Sequence, residues 1–240
     1  MLQLARAPQP MGDEDLTPAQ KLKLAESFVS LSPPAQESLV LDDVRTLVGA
    51  SVLTAEKERQ LLAKVNTAKF AAVQVEGRRV LLTPHGALPG GTFLDPSGPC
   101  VLEVDHKALT ASKSEQPLRP EQLQSIQGAS SLRNEVDAAM QRYASDYLPG
   151  GVVTTYGSMG SGVTVVCCMS SRVAELSNYW AGAWTSEWTL EVPGGGAIGT
   201  LTGKVRARAP TPRGPCRAMP CDAARSRSPP AAGEVRCALL

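Results

Sequence analysis

The stretch from Asn178 to Val192, NYWAGAWTSEWTLEV, limits the fold more than any other part of the chain. Trp180, Gly182, Trp184, Ser186, Trp188, Leu190 and Val192 occupy every second position. Tyr179, Ala181, Ala183, Thr185, Glu187, Thr189 and Glu191 fall between them. Alternation over this length predicts a β-strand, because successive side chains point to opposite faces of a sheet. All three tryptophans of the chain lie here, on one face. Each can bury on the order of 200 Å², so the row demands a large opposing surface. A core face of a sheet is the structural reading. A platform of stacked aromatics for a ligand is the functional one.

The flanking sequence places this strand in a meander. Gly151–Gly157, with Val152, Val153 and Tyr156, predicts one strand, and Ser158–Gly162 a turn. Val163–Met169 is almost continuously apolar, as expected of a strand covered on both faces. After Pro193-Gly194-Gly195-Gly196, Ala197–Val205 starts a fourth strand. Consecutive strands joined by turns imply antiparallel pairing.

The chain opens with helices. Thr17-Pro18-Ala19-Gln20 has the form of a capping box with Pro at the first helical position. Leu22, Ala25, Phe28 and Val29 follow on one face. Ser32 is the expected cap of a second helix carrying Val40, Val44, Leu47 and Val48, with Gly49 at its end. Thr54 opens a third helix bearing Leu61, Leu62, Val65 and Ala68. Three short amphipathic helices joined by tight turns predict an antiparallel bundle. Beyond Phe70, Val73 and Val75 alternate, Glu76-Gly77-Arg78 turns the chain, and Val80–Leu82 returns. Asp95-Pro96-Ser97-Gly98 is a second turn before Cys100–Asp105. A long helix is expected from Glu121, with Leu132, Val136, Met140, Tyr143 and Tyr147 on one stripe.

The fold class is therefore α+β. The expected parts are a disordered leader (1–15), a three-helix stalk (16–69), a small antiparallel β module (70–106) and a linker (107–120). A helix (121–150), a central antiparallel sheet (151–205) and a disordered tail (206–240) complete the chain. The tail holds seven Arg, no Lys and two acids, whereas the whole chain has a net charge of only +1. It also holds six prolines, eight alanines and no aromatic residue, too little apolar area to offset chain entropy.

Catalytic chemistry finds little support. His85 and His106 are the only histidines, and neither has metal-ligand spacing. Cys167-Cys168 lies in an apolar strand, so at least one cysteine reads as a small buried hydrophobe. Cys216, Cys221 and Cys237 lack a fourth ligand for zinc. The glycine-rich segment 157–162 joins two strands instead of opening a helix, which argues against a phosphate loop. No apolar run reaches the ~20 residues of a membrane span. No cofactor, metal site or nucleic-acid partner is expected. A cysteine-dependent enzyme using a Cys–His pair is the one alternative from another class.

The tryptophan strand, N-x-W-x-G-x-W-x-S-E-W over Asn178–Trp188, resembles a central strand of the F-actin capping protein alpha subunit family. The likeness extends to Phe28 through Pro33-Pro34, Asp42-Asp43-Val44-Arg45, Leu81-Leu82-Thr83-Pro84-His85-Gly86 and Phe93-Leu94-Asp95-Pro96. Asp105-His106, Tyr143, Tyr147–Val152 and Tyr156-Gly157 continue it, so that it covers about Leu16 to Val205 in the family's order. The resemblance implies a cytoplasmic protein of the actin cytoskeleton, an obligate heterodimer with a homologous beta subunit. It implies calcium-independent capping of filament barbed ends, modulated by phosphoinositides and capping-regulator peptides. Tyr156, Trp180, Trp184 and Trp188 become candidates for the sheet core and beta-subunit interface. The family's later strand, long helix and actin-contacting tentacle are not recognisable after Val205, so no actin-contact residue is carried over. The tail's composition is that expected of a wrong reading frame or a retained intron, with alternative splicing or divergence as the other readings.

Overall fold

The computed structural model of the chain describes residues 16–33, 36–175, 180–194, 199–208 and 233–239. The expected leader, residues 1–15, lies outside them, as does most of the tail.

Three helices open the fold: α1 (Pro18–Leu31), α2 (Glu37–Val48) and α3 (Ala55–Ala68). The capping box of α1 forms as its sequence requires. Thr17 accepts from the Gln20 N–H, and the Gln20 side chain accepts from the Thr17 N–H. Ala25 and Val29, one turn apart, pack with Leu41, Val44 and Val48 of α2 and Leu61, Leu62 and Val65 of α3. Gly49 ends α2 at φ +86°, where a Cβ would be strained.

Two expectations for this bundle are corrected. Ser32 does not cap α2; it closes α1, and its hydroxyl donates to the Val29 carbonyl at 2.7 Å. Gln36 precedes α2 and makes no side-chain cap. Phe28 and Leu47 are 48% and 76% exposed, since Val29 and Leu41 take the inward positions.

The small β module is a five-stranded sheet in the order β2-β1-β5-β4-β3. Its strands are β1 (Ala72–Val75), β2 (Arg78–Leu81), β3 (Phe93–Leu94), β4 (Val101–Asp105) and β5 (Thr110–Ser114). Glu76 and Gly77, both at positive φ, form the two-residue turn that matches hairpin twist. Val73, Val75, Val80, Leu82, Phe93 and Leu102 fill its core. The expected linker is therefore partly strand. TASKS (Thr110–Ser114) pairs antiparallel to β4 and meets β1 in parallel at Gln74–Thr110. Its polar sequence shows no alternation because two of its five residues stay half-buried and none is fully buried.

The expected long helix is two helices, α4 (Pro120–Gly128) and α5 (Ser130–Tyr147). The break sits at a close approach to the sheet. A Cβ on Gly128 would lie 2.2 Å from the Met159 sulfur. Ala129 is buried, and a Cβ on Gly157 would meet the Ala129 and Arg133 side chains.

The central sheet comprises β6 (Val152–Met159), β7 (Gly162–Glu175), β8 (Trp180–Pro193), β9 (Gly199–Arg208) and β10 (Gly233–Leu239). All pairs are antiparallel, in the order β10-β9-β8-β7-β6. The tail expectation is thus corrected at both ends. β9 runs to Arg208, and Gly233–Leu239 pairs with it from Val205 to Gly199. Val235, Cys237 and Leu239 supply a short alternation, and the edge of β9 supplies unpaired backbone groups.

Both faces of β6 and β7 are covered, which accounts for the apolar run in β7. On one face, Val153, Cys167 and Met169 pack with Ala144 and Met140 of α5. On the other, Val152, Val166 and Cys168 meet Phe70 and Leu81 of the small module. The stalk is tied to the sheet by ions. Glu37, buried at the start of α2, receives Lys69 Nζ at 3.2 Å and Arg172 Nη1 at 3.4 Å.

Candidate functional site

Tyr156 and the tryptophans are together the candidates for the sheet core and beta-subunit interface; Tyr156 lies on one face of the sheet, Trp184 and Trp188 on the other. Tyr156 faces the small module. It is buried, and its hydroxyl donates to the Leu81 carbonyl at 3.3 Å. The Leu81 N–H in turn donates to Thr154 Oγ1 at 2.9 Å. Two neighbouring outward positions of β6 therefore clamp one residue of β2. Burial pushes the Tyr156 phenol well above its ordinary range.

Trp184 and Trp188 point to the other face, beside α5. They are half-buried against the cluster that holds Val136, Met140, Leu148, Cys167 and Met169. The Trp188 indole N–H donates to Ser186 Oγ at 3.1 Å. Its ring lies over Gly203 on β9, where a Cβ would sit 2.2 Å away. Trp180 has the same parity at the start of β8, paired with Glu175; its side chain lies outside the described residues. Leu190, Val192, Leu201 and Val205 share the tryptophan face by register and are half-buried as well. α4 and α5 cover the β6–β7 side of that face. The β8–β9 side keeps a partly open apolar stripe.

A cluster invisible to sequence spacing lies on the Tyr156 face. His85 Nε2 stands 3.3 Å from Glu187 Oε2. The Cys168 sulfur, a His85 ring nitrogen and a Glu187 oxygen all lie within 4.8 Å of one another. Cys168 and Glu187 are register partners on β7 and β8, and His85 arrives from the turn after β2. No linear motif signals this, since the three residues come from three segments. Cys167 points to the α5 side, and burial pushes its thiol up to about 11. Burial, with Glu187 adding to it, pushes the Cys168 thiol higher still. Neither is an activated nucleophile, which weighs against the Cys–His enzyme reading.

Among the described residues, no helix is long and apolar enough to cross a membrane.

Comparison with known proteins fits this architecture to one family. The profile of the F-actin capping protein alpha subunit matches residues 25–209. The F-actin-capping protein subunit alpha of Dictyostelium discoideum is 26% identical over 189 residues, covering 77% of this chain and 65% of its own. That of Caenorhabditis elegans is 26% identical over 201 residues, covering 80% and 66%. The chain thus spans a little under two thirds of the length of these curated relatives. The homodimeric actin capping protein alpha subunit of Plasmodium berghei shares the fold, with a TM-score of 0.62 at 14% identity over 92% of this chain and 77% of that one. With a family match spanning stalk, small module and central sheet, the chain belongs to the F-actin capping protein alpha subunit family.

Proposed function

We propose that the chain acts as the alpha subunit of a heterodimeric capping protein that occupies filament barbed ends and blocks subunit exchange without calcium. The family match over residues 25–209 carries this reading. The half-buried stripe of Trp184, Trp188, Leu190 and Leu201 supports it, being an apolar surface of the kind a partner subunit covers. The capping is steric: a slowly dissociating partner covers the terminal actin subunits, and no covalent chemistry is required. Its place of work is the cytoplasmic actin cytoskeleton, with phosphoinositides and capping-regulator peptides as modulators.

A second reading, in which the chain pairs with a beta subunit but caps poorly, draws on residues 210–240, which lie beyond the family match. Pairing with a second copy is the competing assembly, because the related Plasmodium berghei protein is homodimeric. Co-expression with a beta subunit, followed by a barbed-end elongation assay, tests these together. The leading reading requires a stable complex that stops elongation at nanomolar concentration. A complex that leaves elongation untouched selects the second reading. Self-association without beta binding overturns both.

A further inference from the structure

We propose that His85, Cys168 and Glu187 form a three-ligand site for a zinc-class divalent cation, clamping the small β module to the central sheet. The site is built from three independent placements. Cys168 and Glu187 face each other across β7 and β8, a pairing that fixes their Cβ atoms about 5 Å apart. His85 is held above them by the turn at Pro84–Gly86. Gly86 presses its backbone onto the Tyr156 phenol, where a Cβ would lie 2.4 Å from the hydroxyl oxygen. That contact fixes the backbone from which His85 projects.

One of the three separations already suits zinc. Bonds of about 2.0–2.3 Å at tetrahedral angles put neighbouring donors roughly 3.3–3.8 Å apart. His85 Nε2 and Glu187 Oε2 already stand at 3.3 Å, and the triangle with Cys168 closes within 4.8 Å. One soft sulfur, one imidazole and one carboxylate select zinc over magnesium or calcium, which take oxygen donors. The charges balance as well. Binding displaces one proton from the Cys168 thiol, and a dication then sits with one thiolate, one carboxylate and a neutral imidazole.

Access and a fourth position come from the solvent side. His85 lines a cleft of about 460 Å³ together with Tyr156, Thr164 and Val166. Cys168 and Glu187 are not among the residues lining it, so the cleft meets the site at His85 alone; a water on that side completes four-coordination, the arrangement of zinc sites with three protein ligands. The Thr83 hydroxyl is fully buried and has no hydrogen-bond partner. The structural alternative is a His85–Glu187 ion pair next to an inert thiol.

The test uses the full 240-residue chain, stripped with chelator and titrated with zinc chloride in competition with a chromophoric chelator. One zinc per chain is expected, and cobalt in its place should show thiolate-to-metal charge-transfer absorption. Cys168→Ser and His85→Gln should each weaken binding about 100-fold or more, at least what loss of an outer-shell partner costs. Cys167→Ser and the combined Cys216→Ser, Cys221→Ser, Cys237→Ser variant should bind as the parent does. Circular dichroism checks that each variant folds; His85 is exposed, so His85→Gln decides the matter if Cys168→Ser does not. Absence of stoichiometric zinc, or binding that follows the tail cysteines instead, overturns the site. Neither result depends on whether the chain caps actin.

Discussion

Gly203 and Trp188 show how one position can set the geometry of a sheet face. The indole occupies the space a side chain would need at Gly203. Gly203→Ala should therefore destabilise the chain by about 1–3 kcal/mol, the usual cost of overpacking. Denaturant titration measures it, and a red-shifted tryptophan emission would show that the ring has been displaced. A second residue carries a pH signature. His106 is buried with its Nδ1 unpartnered, and burial holds its pKa below the ordinary value near 6.5, with Asp105 opposing the shift. The unfolded chain therefore binds the proton more readily than the folded one. Stability should fall as pH drops below about 6.5 and level off below the folded-state value. The pH dependence of the denaturation midpoint, compared with that of His106→Gln, tests the sign: the variant should lose less over that window. At this scale sequence reading succeeded where chemistry is local. Thr17 and Gln20 meet within one turn, so their reciprocal bonds follow from four letters. His85 meets Glu187 and Cys168 only through the tertiary fold, and no spacing rule reaches that far.

Among the elements, the meander was legible because its strands alternate or run apolar and its turns are marked by Gly and Pro. Trp184 and Trp188 share one face, as the alternation requires, whereas Tyr156, named with them as a candidate for the sheet core or the beta-subunit interface, is buried on the other. Two elements escaped for physical reasons. β5 has polar residues on both sides, so its strand character comes from pairing with β4 and β1 and not from its side chains. The α4–α5 break has no proline; it reflects the close approach of Gly128 to Met159. Ser125 reinforces that contact by donating to the Met159 carbonyl at 3.0 Å and accepting its N–H at 2.9 Å. The joint between stalk and sheet yields a prediction at this scale. Glu37 serves two cations from separate elements, Lys69 after α3 and Arg172 on β7. Removing it leaves the largely desolvated Arg172 guanidinium without its carboxylate, whereas Lys69 keeps its bonds to the Val29 and Ser32 carbonyls and the Ser32 hydroxyl, so Glu37→Ala should cost about 3 kcal/mol or more. Thermal unfolding measures the loss. A double-mutant cycle with Arg172→Met should show coupling, since replacing both partners relieves the stranded charge.

For the molecule as a whole, the partly open stripe on β8 and β9 bears on behaviour in isolation. Exposed apolar area of this kind promotes self-association. The chain alone should be poorly soluble, and a bound partner should shift the emission of Trp184 and Trp188 to the blue; a monodisperse, cooperatively melting monomer would contradict this. The tail was the least legible region, because composition reports average ordering and not whether seven residues find an edge strand, as Gly233–Leu239 does on β9. The clamp on Leu81 has a different consequence, one of time. Its two bonds join residues 73 and 75 positions apart, whereas neighbouring strands of the meander meet across short turns. Closing so long a loop is entropically late, so local hairpins should form before the small module docks. Thr154→Val removes the acceptor of a buried N–H, at a cost of about 1–3 kcal/mol. In stopped-flow measurements that loss should appear almost wholly as faster unfolding, by about 5- to 150-fold, with the folding rate unchanged. The residue that locks the two modules together would then govern how long the native chain survives, and scarcely how fast it is made.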